Sequence, residues 1–426
     1  MKPGTFLPFF LGRVLATLGR QMLAVAVGWD LYDRTGSFVV LGLVGLAQVT
    51  PVVLLAVPMG ALVDRLDARR TGAISCLLLS AAGAGFAYAT FVSAPIELMF
   101  VLLVVHGAAM AMHAPSVASI LPRLVSLGDR ARANAIMATG FELASIGGPA
   151  LAGALLAVTR SPAVVYAVHA VLSLAFAGVL TFLYATGVGA SDASRVAGTA
   201  GAQPPDLSAS TAATSSLDRM IAGVKFVFAS RLLLPAMTLD LFAVLFGGVT
   251  ALLPAFAKEV LHTGPEGLGV LRAAPAAGAL VMAIISTRLP PWKRPGRALF
   301  AAIAVFGLST LAFAFSTSIA LSCALLAISG AADNVSVVIR MTLEQMVTPD
   351  DMRGRVSSVR YIFIGMSNEL GELESGLAAA ALGMVPSVIA GTLVCIGVLG
   401  VVAVGWPELV RLPPLGLLKP TPPSLR

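Results

Sequence analysis

Six ionisable side chains stand deep inside long apolar runs: Arg20, Glu142, Asp240, Asp333, Glu369 and Glu372. At the centre of a bilayer each costs ~3 kcal/mol on insertion scales, so such groups face a watery path or one another. Arg20 offers a fixed positive charge and Gln21 an amide beside it. That pair suits an anionic group or a carboxylate partner. Asp240 and Asp333 are the carboxylates to set against it, with Asn334 adding an amide next door. A purely structural Arg–Asp pair accounts for the same residues. Glu369 and Glu372 are three apart and share one helix face. Two neighbouring carboxylates do not both hold a charge cheaply away from water, which makes Glu369, Glu372, Asp240 and Glu142 candidates for binding a coupling proton. Fixed polar packing between helices is the alternative. His106 and His113 are seven apart, with Met110 between them on the same face. A metal site or a proton relay needs a further ligand that the sequence does not present; interhelical hydrogen bonding is the plainer role.

The elements that must position these residues follow from hydropathy. The chain has 426 residues, 58% hydrophobic and 12% charged, with mean hydropathy +0.92. Soluble domains carry about 25% charged residues. A spanning helix needs ~20 apolar residues. Runs of that kind fall at 6–29, 39–60, 71–92, 98–121, 134–158 and 163–186, then at 232–257, 268–289, 298–315, 319–343, 357–382 and 387–406. The expectation is an all-α, polytopic membrane protein with twelve spans. The run at 6–29 reads as a retained first span, because it lacks a short apolar region followed by a small-residue cleavage site.

The net charge of +7 is a matter of topology. Loops after even-numbered spans hold Arg65, Arg69, Arg70, Arg123, Arg130, Arg132, Arg195, Arg219, Lys293, Arg294 and Arg297; those after odd-numbered spans hold Arg34, Arg160 and Lys258. Basic residues mark the cytoplasmic side, which places both termini in the cytoplasm. No basic patch interleaves with aromatics as a nucleic-acid surface does, so no nucleic-acid partner is expected. Cys76, Cys323 and Cys395 all fall inside predicted spans without a CxxC pair, so neither disulfides nor a zinc site is expected. No nucleophile elbow or His–Asp pair suggests an enzyme.

Residues 187–218 are rich in Ala, Ser, Thr, Gly and Pro and read as a flexible cytoplasmic linker. It separates a six-span unit, residues 1–186, from a second at 219–411; residues 412–426 form a cytoplasmic tail. Just after the linker, Met220, Ile221, Val224, Val227 and Phe228 recur at helical spacing. This is either an amphipathic helix on the cytoplasmic leaflet or an early start to the seventh span. The stretches Arg123–Arg132 and Gln345–Arg355 follow spans four and ten and resemble each other, as a duplicated six-helix unit requires.

Gly60, Asp64, Arg65, Arg69 and Arg70 make a short basic turn between spans two and three. Such a turn, with Arg353 and Arg355 in the second half, serves as a latch that pairs in one state and releases in another, or marks topology alone. Gly148, Pro149 and Gly153 in span five allow close helix approach and a bend.

The pattern Gly60-Ala-Leu-Val-Asp64-Arg65 followed by clustered Arg resembles the signature loop of major facilitator superfamily transporters. Arg13, Gly19-Arg20-Gln21, Trp29, Tyr32 and Thr35-Gly36-Ser37 resemble the family's first span, and Gly148-Pro149-Ala150-Leu151-Ala152-Gly153 resembles its antiporter motif. Leu239-Asp240-Leu241-Phe242, Leu271-Arg272-Ala273-Ala274-Pro275 and Ser367-Asn368-Glu369-Leu370-Gly371-Glu372 are similar to the branch that includes enterobactin exporters and macrolide efflux proteins. The resemblance implies twelve helices in two pseudo-symmetric six-helix bundles. It implies secondary active transport by alternating access: proton-coupled efflux of a drug-like or siderophore-like small molecule, with no cofactor, by a monomer in the lipid bilayer of a bacterial plasma membrane. An importer or lysolipid transporter of the same fold, or a non-transporting scaffold or receptor, are the alternatives.

Overall fold

The computed structural model describes residues 3–187, 216–290, 292–349 and 352–418. Nearly all of the expected linker, the tail beyond 418 and the side chain of Asp64 lie outside the described residues. The described residues are mostly helical, with no strand among them. The helices are α1 (Pro3–Thr35), α2 (Phe38–Arg65), α3 (Ala68–Phe91), α4 (Ile96–Leu124), α5 (Arg130–Thr159) and α6 (Pro162–Ala185). After the linker come α7 (Ser216–Ala229), α8 (Leu233–Gly247), α9 (Pro265–Ser286), α10 (Pro295–Ala314), α11 (Ile319–Val347), α12 (Arg353–Leu382) and α13 (Met384–Gly405).

Local chemistry sets the ends. Asp67 caps α3, its carboxylate accepting from the Arg69 backbone N–H at 2.9 Å. Arg160, at φ 52°, closes α5 in the left-handed region, and Pro162 opens α6 at its first position. Gly36 at φ 59° and Gly383 at φ 90° turn the chain between α1 and α2 and between α12 and α13, where a side chain would be strained.

Among the described residues, eleven segments are long and apolar enough to cross a membrane. The expected span not among them is the eleventh, α12, which has the length, 30 residues, but carries Glu369, Glu372 and Glu374 within two turns. The seventh is broken. It runs as α8, then through Thr250–Leu252 and Leu253–Ala255 to a wide-wound turn at Phe256–Val260. Gly248 is extended there, and Pro254 has no N–H to give a ladder. The segment before it is a helix of its own, not an early start to the seventh span, with Lys225 exposed and Val227 buried. α7 is a separate helix of 14 residues, and its Val227 is fully buried in the core with Leu233, Leu239 and Val359.

Two compact units form. The first gathers α1, α2 from Leu46, α3 to α6 and the start of α9 up to Ala273. Its core includes Phe9, Cys76, Ile120, Phe176 and Leu180. Short polar staples tie its helices: Thr71 and Ser116 share a hydrogen bond of 2.9 Å, and the Ser80 hydroxyl donates to the Ala170 carbonyl at 2.8 Å. The second gathers Gly36–Gly45, α7, α8, the rest of α9 and α10 to α13. Its core includes Leu239, Leu299, Ile339, Leu343 and Val402.

Candidate functional site

Within the first unit, α1, α3, α4, α5 and α6 enclose a cavity of about 210 Å³. α1 contributes Arg13, Thr17 and Arg20; α4 contributes His106, Met110 and His113; α6 contributes His169 and Ser173. His106 and His169 are 2% and 1% exposed. Their ring centroids lie 5.5 Å apart, and neither ring nitrogen of His106 has a hydrogen-bond partner among the described residues. His113 is engaged differently: its Nδ1 lies 3.1 Å from the Ser75 hydroxyl and 3.5 Å from Cys76 Sγ. The Gln21 amide donates to Ser145 Oγ on α5 at 3.0 Å. Among the described residues no three His, Cys, Asp or Glu side chains group closely enough for a metal ion.

At another end of this unit, Asp30 is buried and gathers three donors. Arg34 Nε lies at 2.7 Å, and the Thr90 and Tyr166 hydroxyls donate at 3.1 Å each. Arg34 also donates to the Ala94 carbonyl at 3.1 Å. Asp30 thereby joins α1, α3 and α6, and its charge is satisfied by a guanidinium and two hydroxyls.

The second unit holds an ionic cluster. Arg340 on α11 pairs with Asp240 on α8, and its other amino group lies 3.9 Å from Asp333, two turns back on its own helix. Its Nε also donates to Ser336 Oγ at 3.1 Å. One turn onward, Glu344 pairs with Arg360 Nε of α12 at 2.8 Å and accepts from the Ser357 hydroxyl at 2.8 Å. Asp240, Arg340, Glu344 and Arg360 line one narrow space of about 20 Å³. Two arginines on α11 and α12 thus stand among three carboxylates on α8 and α11.

Glu369 and Glu372 both point at Gly45 of α2. A Cβ there would lie 2.9 Å from one carboxylate oxygen and 2.7 Å from the other. Glu142 is partly exposed on α5, Asn334 is partly exposed beside Asp333, and Asn368 is exposed.

The Major Facilitator Superfamily model matches residues 9–372, most of the chain. The chain belongs to the Major Facilitator Superfamily. It is a multi-pass membrane transporter, with the family's twelve-helix fold. Among curated relatives it is 28% identical over 157 residues to a staphyloferrin A transporter of Staphylococcus aureus, covering 36% of this chain and 39% of that one. It is 26% identical over 121 residues to macrolide efflux protein A of Streptococcus pyogenes, covering 28% of this chain and 30% of the relative. The matched part therefore spans less than half the length of either. Solved structures share the fold. A bacterial homologue of the human lysosomal transporter Spinster, inward-facing and unoccupied, has TM-score 0.69 at 14% identity, covering 96% of this chain and 99% of its own. A peptide transporter, POT, in complex with sulfate has TM-score 0.70 at 13% identity, covering 97% and 96%.

The family's loop and glycine motifs have defined surroundings here. Arg69 is 3% exposed. It is clamped by the Asp67 carboxylate, donates to the Leu183 carbonyl at 3.1 Å and lies over the Tyr184 ring at 5.4 Å. The Arg69 guanidinium holds the Asp67 carboxyl below the usual carboxylate range, against the opposing effect of partial burial. Arg65 and Arg70 are exposed, and Gly60 has open space around it. In the second half Arg353 donates to the Gln345 carbonyl at 3.3 Å, and Arg355 lies 3.2 Å from Met352 Sδ. Gly148 of α5 packs against α1, where a Cβ would come within 2.6 Å of Gln21 Cβ. Gly153 faces Gly269 of α9, its missing Cβ 2.9 Å from the Gly269 Cα.

Four functional candidates escape sequence reading. Arg340, which engages both Asp240 and Asp333, stands three residues from the expected end of its span, where a long cation normally reaches the interface. Glu344 and Arg360 were assigned to a loop and a span end. His169 is a lone histidine in span six, and only the fold carries it to His106.

Proposed function

We propose that this transporter is a proton-coupled exporter of a small amphipathic compound. The observation that carries the reading is the Asp240–Arg340–Asp333 cluster. A carboxylate paired with a guanidinium inside a membrane span is stable as a neutral couple. Protonating Asp240 would remove one partner and release Arg340 toward Asp333. The helices that carry these groups would then prefer a different packing, which is what coupling a proton to alternating access requires. Glu369, Glu372 and Glu142 are further proton-site candidates, and Arg20, Gln21, His106, His113 and Asn334 are candidates for contact with substrate.

The outward direction is supported by the similarity to a macrolide efflux protein. In this reading, residues 1–186 and 219–411 are the two moving bundles, 187–218 their cytoplasmic linker and 412–426 a cytoplasmic tail. The protein works as a monomer in a bacterial plasma membrane with both termini in the cytoplasm, as the Arg-rich alternate loops support. Gly60, Asp64, Arg65, Arg70, Arg353 and Arg355 form cytoplasmic latches, and Arg69 anchors the first of them.

The test is uptake into inverted membrane vesicles of a macrolide, a ferric siderophore and an amphipathic dye. Accumulation that needs an acidic vesicle interior and collapses with a protonophore is expected for at least one. No gradient-dependent accumulation across the panel overturns the reading. Uptake confined to right-side-out vesicles replaces it with import.

A further inference from the structure

We infer that α7 and the helix ends beside it form a docking surface for the anionic phospholipid headgroups of the leaflet they meet. The inference rests on the proposed placement of this end of the second unit at the cytoplasmic face, and not on export or proton coupling. Three observations converge. First, α7 is held to the protein by one side. Gly223 lies against the start of α12, where a Cβ would come within 2.8 Å of the Arg355 carbonyl oxygen. Val227 is fully buried, and Val224 and Phe226 pack against the same core. Lys225 and Phe228 stand three apart and so share a face. Both are exposed, Phe228 by 57%. An outward aromatic ring beside a cation is the pattern of a helix lying at a bilayer surface: the ring enters the acyl boundary and the ammonium meets phosphate.

Second, other helix ends reach the same level. Arg231, just past α7, pairs with Glu408, just past α13, at 3.4 Å. Gly296 at the start of α10 abuts the Leu409 carbonyl. Trp292 and Trp406 are partly buried against the core that holds Val227, and tryptophan favours the depth of the headgroups. Third, the charge at this end has one sign. Residues 287–297 hold Arg288, Lys293, Arg294 and Arg297 with no Asp or Glu, and all four are exposed. Residues 216–231 hold Arg219, Lys225 and Arg231 against Asp218. The turn before α12 is neutral, since Asp350 and Asp351 offset Arg353 and Arg355. Basic clusters of this size just inside a span attract anionic lipid. Topology alone asks only for basic loops. It does not ask for a folded helix that turns an aromatic ring outward beside its lysine.

The test uses the full-length protein in nanodiscs of phosphatidylcholine mixed with phosphatidylglycerol. Phe228→Trp adds a reporter to the three native tryptophans, and bromine near the headgroup end of the acyl chains of one lipid at a time quenches it. At equal mole fraction, brominated phosphatidylglycerol is expected to quench the added emission about tenfold more effectively than brominated phosphatidylcholine. The preference should fade at high salt. Lys225→Gln with Lys293→Gln and Arg294→Gln should bring it below about twofold. A second measurement leaves Phe228 in place: the parent's thermal unfolding temperature should be higher in the mixture than in phosphatidylcholine alone, and the triple variant should lose that difference. No quenching by either lipid, or equal quenching by both, overturns the inference. So does a preference that survives the triple variant. Displacement of the lipid by glycerol phosphate at matched ionic strength would mark a site for free phosphate and also overturns it. Lipid preference without any proton-driven transport keeps this inference and removes the exporter reading. Proton-driven transport with no lipid preference overturns this inference alone.

Discussion

Arg340 holds the acidic side chains of the second unit together. It is mostly buried, as is Asp240, and it reaches Asp333 as well. Removing one partner of a buried pair leaves the other charge stranded, which costs about 3–5 kcal/mol. Arg340→Ala is therefore expected to lower unfolding stability in detergent by about 3 kcal/mol, and Arg340→Gln combined with Asp240→Asn should recover most of the loss. A single variant as stable as the parent would show that the cluster has no structural weight. In the first unit, Asp67 is held below its ordinary pKa by Arg69. A carboxylate depressed in the folded state contributes stability above its unfolded value, and that contribution disappears as pH falls through the folded value. Asp67→Asn keeps a capping side chain for α3 and removes the charge. It should lower the thermal unfolding temperature at pH 7, and the gap to the parent should close as pH falls below about 4. A gap that stays constant with pH would assign the effect to packing. Asp67 and Arg69 stand two apart at the start of α3, so their pairing is local in the sequence. Arg340 and Asp240 are a hundred residues apart, and theirs is not.

Helix crossings at glycine are the structural device at the level of elements. α5 meets α9 where Gly153 and Gly269 lie backbone to backbone, and α2 meets α12 where Gly42 and Gly376 do the same, each missing Cβ within 3.2 Å of the opposite Cα. In lipid, close packing of this kind substitutes for a hydrophobic driving force between helices. Gly153→Val should cost about 1–3 kcal/mol by overpacking, read as lower thermal stability and lower folded yield. Gly147→Ala in the same helix meets only Leu18, at 3.9 Å, and should be neutral in both measurements. Equal behaviour of the two variants would remove the crossing as the reason for the motif. The sequence made the glycines of α5 visible as a small-residue motif. It did not show their partners, because Gly269 and Gly376 sit in helices whose register against α5 and α2 is set by packing alone.

For the whole molecule, the proton-coupled exporter we propose needs a group that changes charge inside the bundle, and the intramembrane carboxylates are the candidates. Asp240→Asn is expected to insert and fold while losing gradient-dependent transport in inverted vesicles by about tenfold or more, with downhill exchange of substrate retained. Unchanged coupling in both Asp240→Asn and Glu369→Gln would remove these residues from the mechanism. The chain's hydropathy and charge placement determined by themselves that it is a multi-pass all-α membrane protein, since ~20 apolar residues in a row have no cheaper place than a bilayer. The Asp–Arg loop and the span motifs identified the family from short local patterns. The tertiary structure alone decided which charges neutralise which. Arg340 claims Asp240 and Asp333, Arg69 is pinned to the end of α6, and three histidines from α4 and α6 gather around Arg13 and Arg20. A helix dictates from local spacing only the face on which a side chain lies. Which neighbour answers that face depends on how distant helices pack, and that information is spread over the whole chain.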